Sequence, residues 1–298
     1  MTDIRTDRVF SGYPGYLAVE RECLQSEAAS TRAERQTLNF AEQFANAAFD
    51  GRVEEARQGF IKVTDGTTNL QVLSLASDFF LRTGDIAMAK EMIQRRLAIC
   101  GRDTETLEMA SALCHLGLLY HQQGELDQAN EMHIMALAID LQIRNEKGIA
   151  RDFGNLGVLN SNQGRLVRAE KMLKKALTIH KKLGVEACIA RDVGNIGVIY
   201  YKRGELDRAE EFFQKALAIN EGIGQQECMA TNYGNLGSVA NLRNDHRKAR
   251  DLWLRALDLS AKLGMAHKVK ELQRRLDALM KSEDEQVTST GSKTSDVK

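Results

Sequence analysis

Apolar residues recur at helical spacing over most of the chain, in paired stripes separated by a short polar turn. Leu113, Leu116 and Tyr120 precede one turn, and Val193, Ile196 and Tyr200 precede another, after which come Leu206, Ala209, Phe213, Ala216 and Leu217. Steps of three and four residues put each set on one face of a helix. The turns repeat as regularly as the stripes. Gly84, Gly124, Gly164 and Gly204 stand forty residues apart, and Asn244 continues the series. Glycine and asparagine both tolerate a left-handed turn. Alanine follows five residues after each, at Ala89, Ala129, Ala169, Ala209 and Ala249. Gly51 and Ala56 form an earlier copy at a shorter distance. The unit is therefore a helix, a turn and a second helix (A and B below). One such unit exposes an apolar face that only its neighbours cover, so repetition predicts a stack.

The small residue late in helix A, an aromatic three residues on, and two alanines in helix B characterise tetratricopeptide repeats. Gly157, Ala169 and Ala176 supply this pattern in the fourth unit, and Gly197, Tyr200, Ala209 and Ala216 in the fifth. With its forty-residue period and "GNLG" segments, the stretch from about Phe40 to Gly264 resembles the adaptor branch that includes Pins-type spindle-orientation proteins and, more loosely, kinesin light chains. There are departures. Asn160 and Ala240 replace the aromatic, the repeat-ending proline is absent, and Arg96 stands where helix B usually has alanine. The second unit is therefore expected to pack less regularly.

The expected fold is all-α: a right-handed α-solenoid of about six helix–turn–helix repeats over residues 39–264, closed by terminal capping helices. Residues 1–38 are expected to form a loop and a capping helix. Met265, Val269, Leu272, Leu276 and Leu279 make one stripe, which predicts a C-terminal capping helix over 265–281. Residues 282–298 read as a disordered polar tail.

"ARDFGNLGVL", beginning at Ala150, and "ARDVGNIGVI", beginning at Ala190, each set two glycines around an asparagine in mid-helix. A helical glycine costs roughly 0.8–1 kcal/mol relative to alanine. Gly154, Gly157, Gly194, Gly197, Gly234 and Gly237 therefore require a structural return. Gly157, Gly197 and Gly237 fall where helix A meets helix B, opposite Ala169, Ala209 and Ala249, and are expected to let the two helices pack closely. Gly154, Gly194 and Gly234 border the opposite face, where they either admit another backbone or relieve packing between successive A helices.

That face carries Arg151, Asn155, Val158 and Asn162 in one unit, and Arg191, Asn195, Val198 and Lys202 in the next. Thr231, Asn235, Ser238 and Leu242 follow, and Ser111, His115, Leu118 and Gln122 precede them. The family resemblance implies that it lines a concave groove. A carboxamide offers donors and an acceptor, so a column of asparagines suits the backbone of an extended peptide. Helices about 8–10 Å apart meet an extended chain, rising about 3.3 Å per residue, roughly every third residue. Arg151 and Arg191 add charge that favours carboxylates. The candidate groove set is His115, Arg151, Asn155, Asn162, Arg191, Asn195, Lys202 and Asn235.

Composition narrows the partners. Lys and Arg together number 41, as do Asp and Glu, so no net charge recommends nucleic acid or an anionic membrane. No apolar run approaches the roughly 20 residues of a membrane helix, and the first twenty residues lack the apolar core of a signal peptide. The five cysteines are scattered, which suits a reducing cytoplasm. Cys188 and Cys228 share one register position and read as small packing residues. Adjacent on a helix, Cys114 and His115 diverge. No H-E-x-x-H spacing, phosphate loop or nucleophile elbow appears, so neither metal, cofactor nor catalysis is expected. The sequence predicts a non-catalytic adaptor that binds an extended, acidic segment of another protein. A self-assembling scaffold and a peptide-sensing regulator are the rival readings.

Overall fold

The computed structural model describes residues 32–49, 52–101 and 106–292, which form thirteen helices and no strand. They pair as hairpins: α1 (Arg32–Phe49) with α2 (Val53–Thr64), α3 (Leu70–Thr83) with α4 (Ile86–Cys100), and α5 (Leu107–Gln123) with α6 (Leu126–Gln142). Then come α7 (Glu146–Asn162) with α8 (Leu166–Leu183), α9 (Glu186–Lys202) with α10 (Leu206–Gly222), α11 (Gln226–Leu242) with α12 (His246–Lys262), and α13 (Ala266–Ser292). Six helix–turn–helix units and a terminal helix thus realise the expected all-α repeat fold. The described chain falls into two compact units that divide between Asp192 and Val193, within α9.

The repeat turns are fixed by backbone handedness. Gly84, Gly124, Gly164, Gly204 and Asn244 all have positive φ, the left-handed conformation their spacing predicts. A second series joins the hairpins from α6 onward: Arg144 at φ 58°, then Gly184, Gly224 and Gly264 at 69°, 70° and 68°. Side-chain caps add to the first turns of several helices. Asn69 accepts from the N–H groups of Gln71 and Val72, and Asp85, Thr106 and Asp245 each accept one from the third residue on.

In the unit that ends at Asp192, Phe60 stacks on Phe79 with ring centroids 4.9 Å apart and meets Phe80 edge-on, which sets the core of the first two hairpins. Further along, one residue of each B helix fills the notch left by a helix A glycine. A Cβ on Gly117 would lie 2.8 Å from the His133 ring, and one on Gly157 would lie 2.7 Å from Leu173 Cγ. In the unit that begins at Val193, Phe213 seats on Gly197 and Trp253 on Gly237 in the same way, at 2.8 and 2.4 Å. The close-packing role read for the second glycine of each pair is therefore what the helices use. Gly194 faces other contacts: its Cβ would meet only Asn232 Oδ1 at 3.6 Å and Ala216 Cβ at 3.7 Å.

Arg96 is fully buried where later B helices carry Ala136, Ala176, Ala216 and Ala256. It is held within 2.7 Å of His115 Nδ1, and donates to Ser111 Oγ at 2.8 Å and Glu108 Oε2 at 3.2 Å. The second unit thus accommodates its departure from the pattern by bonding the guanidinium, which an isolated buried charge requires. At the ends, the boundaries move. Helix α1 starts at Arg32, inside the segment expected to cap the repeats, and the loop expected before it lies outside the described residues. Helix α13 continues to Ser292, beyond the expected end at 281. Lys281 to Gln286, "KSEDEQ", contains no glycine or proline and mostly good helix formers. Residues 293–298 lie outside the description.

Candidate functional site

Each join between hairpins buries polar side chains from the end of one B helix and the start of the next A helix. Between α6 and α7, Asp140 is fully buried and accepts from Asn145 Nδ2 at 2.8 Å and Arg151 Nη2 at 3.1 Å. Arg151 Nε also donates to buried Asp152 at 3.2 Å. One guanidinium therefore serves two carboxylates. Forty residues on, between α8 and α9, His180 Nδ1 lies 2.6 Å from Asp192 Oδ2, and Arg191 Nη2 lies 3.6 Å from Asp192 Oδ1.

The chemistry at this second join is coupled. Burial opposes charge on His180, but hydrogen bonds with Asp192 and Cys188 outweigh it and lift the imidazole above its ordinary value. Burial likewise pushes the Cys188 thiol up, yet the Arg191 charge and the His180 hydrogen bond bring it below the usual thiol range. In the unit that begins at Val193 the corresponding positions are Asn220, Asn232 and Ser260, all buried and none ionisable.

The residues anticipated as a groove lie on the A helices, beside these joins. Four of them keep a sliver of exposure: Arg151 at 8 %, Asn155 at 5 %, Arg191 at 6 % and Asn195 at 6 %, where the neighbouring Asp152 and Asp192 have none. Asn155 Nδ2 donates to Cys114 Sγ of the preceding A helix at 3.3 Å. Exposed Asn162 pairs with His121 Nε2 at 2.8 Å; burial holds that imidazole below its ordinary value, in the neutral form that accepts. His115 is not on the surface at all, because Arg96 holds it in the core. Lys202 is half-buried, and desolvation holds its ammonium below the usual lysine range.

In the last hairpin the A-helix face is covered. From α13, Lys268 Nζ donates to Thr231 Oγ1 and Arg275 Nη1 to Ser238 Oγ. Asn235, between those two positions, is 2 % exposed. Of the anticipated set, Asn162 is exposed, Lys202 is half-buried, and His115, Arg151, Asn155, Arg191, Asn195 and Asn235 are buried. The sequence reading missed the aspartates and His180 that dominate the seams. Their signal was available: Asp140, His180, Asn220 and Ser260 form a forty-residue column, as do Asp152, Asp192 and Asn232.

Hairpins of two helices with a left-handed turn residue, glycine-seated cores and a forty-residue period define a tetratricopeptide-type helical repeat protein. The profile of the MalT-like TPR region matches residues 73–285, and the chain belongs to that family. No curated protein sequence matches it. Among solved structures it is similar to BtubC (BKLC) from P. vanneervenii, with 25% identity over 79% of this chain and 93% of that one, at a TM-score of 0.52. A Rap protein complexed with Competence and Sporulation Factor gives a TM-score of 0.64, with 12% identity over 86% of this chain and 73% of that one. TPR-like repeats described as those of a kinesin light chain from Podosopora anserina give 0.50, with 17% identity over 65% and 96%. Among the described residues, no helix is long and apolar enough to cross a membrane.

Proposed function

We propose that this protein is a non-catalytic interaction module that binds an extended segment of another protein along the A-helix face of its repeats. The observation that carries the reading is Asn195. Its Nδ2 is buried with no hydrogen-bond partner, while the residue as a whole keeps a slight exposure. An unmet buried amide donor costs about 1–3 kcal/mol, and a peptide carbonyl laid over α9 would satisfy it. Membership of a repeat family and similarity to a Rap protein crystallised with a factor support the same direction.

An acidic character for the bound segment is the finer part of the proposal. Lys202 carries it, because a carboxylate beside that desolvated ammonium would offset the cost of its burial. Arg151 does not, since Asp140 and Asp152 already occupy its charge.

The test is capture of ligands from a displayed library of extended peptides, with wild type beside Asn195→Ala and Lys202→Ala, all checked for helicity. Peptides retained by wild type and lost by Asn195→Ala support the site, and selective loss of acidic peptides by Lys202→Ala supports the finer reading. Equal retention by all three proteins refutes the site.

A further inference from the structure

Cys114 of α5, His133 of α6 and Asp152 of α7 are far apart in sequence and converge in the unit that ends at Asp192. One ligand atom from each lies within 4.8 Å of the other two, and all three side chains are buried. Two of the three side chains carry an orphaned polar atom. His133 Nδ1 and Asp152 Oδ2 are buried with no hydrogen-bond partner. Natural cores pair such groups, and each exception calls for a reason.

We propose that Cys114, His133 and Asp152 form an internal binding site for one divalent transition-metal ion, zinc by the chemistry of its donors. Thiolate, imidazole and carboxylate together are zinc ligands, and thiolate disfavours magnesium and calcium. Zinc bonds of about 2.0–2.3 Å put neighbouring donors roughly 3.5 Å apart, so the cluster closes on an ion by a contraction of about 1 Å. Asn155, whose carboxamide touches Cys114 Sγ, turns its oxygen toward the same point by a half-rotation and supplies a fourth donor.

Charge balance favours the ion. With Cys114 as thiolate, Asp140 and Asp152 against Arg151, the buried group carries two uncompensated negative charges, which a divalent cation cancels.

The repeats themselves show that no packing rule demands this trio. One period on, the same three positions hold Gly154, Leu173 and Asp192; two periods on, Gly194, Phe213 and Asn232. Only at this junction do all three carry metal-ligating groups. Sequence reading looks for ligands on one helix or one loop and finds Cys114 beside the wrong histidine, His115. The hairpin stack supplies the right one.

The same comparison supplies test variants that preserve packing, His133→Leu and Cys114→Gly. The full chain would be loaded with zinc chloride, desalted and assayed for metal, then reloaded with cobalt chloride and read by absorption. The expected result is about one zinc per chain and a thiolate-to-cobalt charge-transfer band. Both should fall at least about tenfold in the variants, a loss that even outer partners of a metal site produce. Zinc content unchanged in His133→Leu would place the metal elsewhere and overturn the proposal. If circular dichroism shows the variants unfolded, wild type decides alone. A cobalt–thiolate band with a melting temperature raised by zinc and lowered by chelator supports the site; absence of both overturns it.

Discussion

The indole of Trp253 lies so close over Gly237 that an added Cβ would stand 2.4 Å from its Cδ1, while the indole N–H donates to the carbonyl of Gly234 at 3.1 Å. A ring this size enters the A–B interface only because helix A leaves a notch. Gly237→Ala is expected to destabilise by about 1–3 kcal/mol, the usual cost of overpacking. Gly194→Ala meets only ordinary contacts and relieves a mid-helix glycine, so it should stabilise by up to about 1 kcal/mol. Chemical unfolding of both variants measures the contrast; equal effects would refute the notch.

Arg144 adopts the left-handed conformation that Gly184, Gly224 and Gly264 adopt at the equivalent joins. For a residue with a Cβ this costs about 1–2 kcal/mol, partly offset because glycine gains more freedom on unfolding. Arg144→Gly should therefore raise stability by roughly 0.5–1 kcal/mol, read as a shift in denaturant midpoint at constant slope.

Arg96 fills an alanine position and satisfies Ser111, His115 and Glu108. Arg96→Ala restores the residue found in later repeats but strips three partners of a charge-assisted bond. A loss of about 3 kcal/mol is expected. Arg96→Ala combined with His115→Asn, the residue this position holds as Asn155, should recover part of it; no recovery would mean that His115 is held by packing alone.

His180 should make stability depend on pH. Its imidazole faces Asp192 and Cys188, and Arg191 acts on the same thiol. Its folded value lies above the ordinary 6.5. The stabilisation is therefore fully present below pH 6.5 and is lost as pH rises through the folded value. The thiol works in the opposite sense, so the clean comparison uses Cys188→Ala as background. There, urea midpoints should fall as pH rises from 6.5 through the folded value of His180, and His180→Asn, which copies Asn220, should flatten that fall. An unchanged slope would exclude the His180–Asp192 pair as its origin.

Much of this was legible before any coordinates. The turn series at Gly84, Gly124, Gly164, Gly204 and Asn244 announced its left-handed conformation by residue type and period alone. The glycines at 157, 197 and 237 announced close helices for the same reason, since only a missing side chain explains a repeated mid-helix penalty. The candidate site was less legible. Asn155 and Arg151 were read as facing a ligand, and the structure gives them Cys114 and the pair Asp140 and Asp152.

What the sequence determined by itself was the repeat, its turns and its all-α class, because those follow from periodicity and backbone preference within a few neighbouring residues. What only the tertiary structure decided was the content of the seams. Whether Arg151 meets a solvent carboxylate or Asp140, and whether Cys114 finds His115 or His133, depends on how far one hairpin rotates and slides against the next. That register is set by the summed packing of whole helices, including Leu173 on Gly157 and Arg96 on Ser111, and no short stretch of chain encodes it.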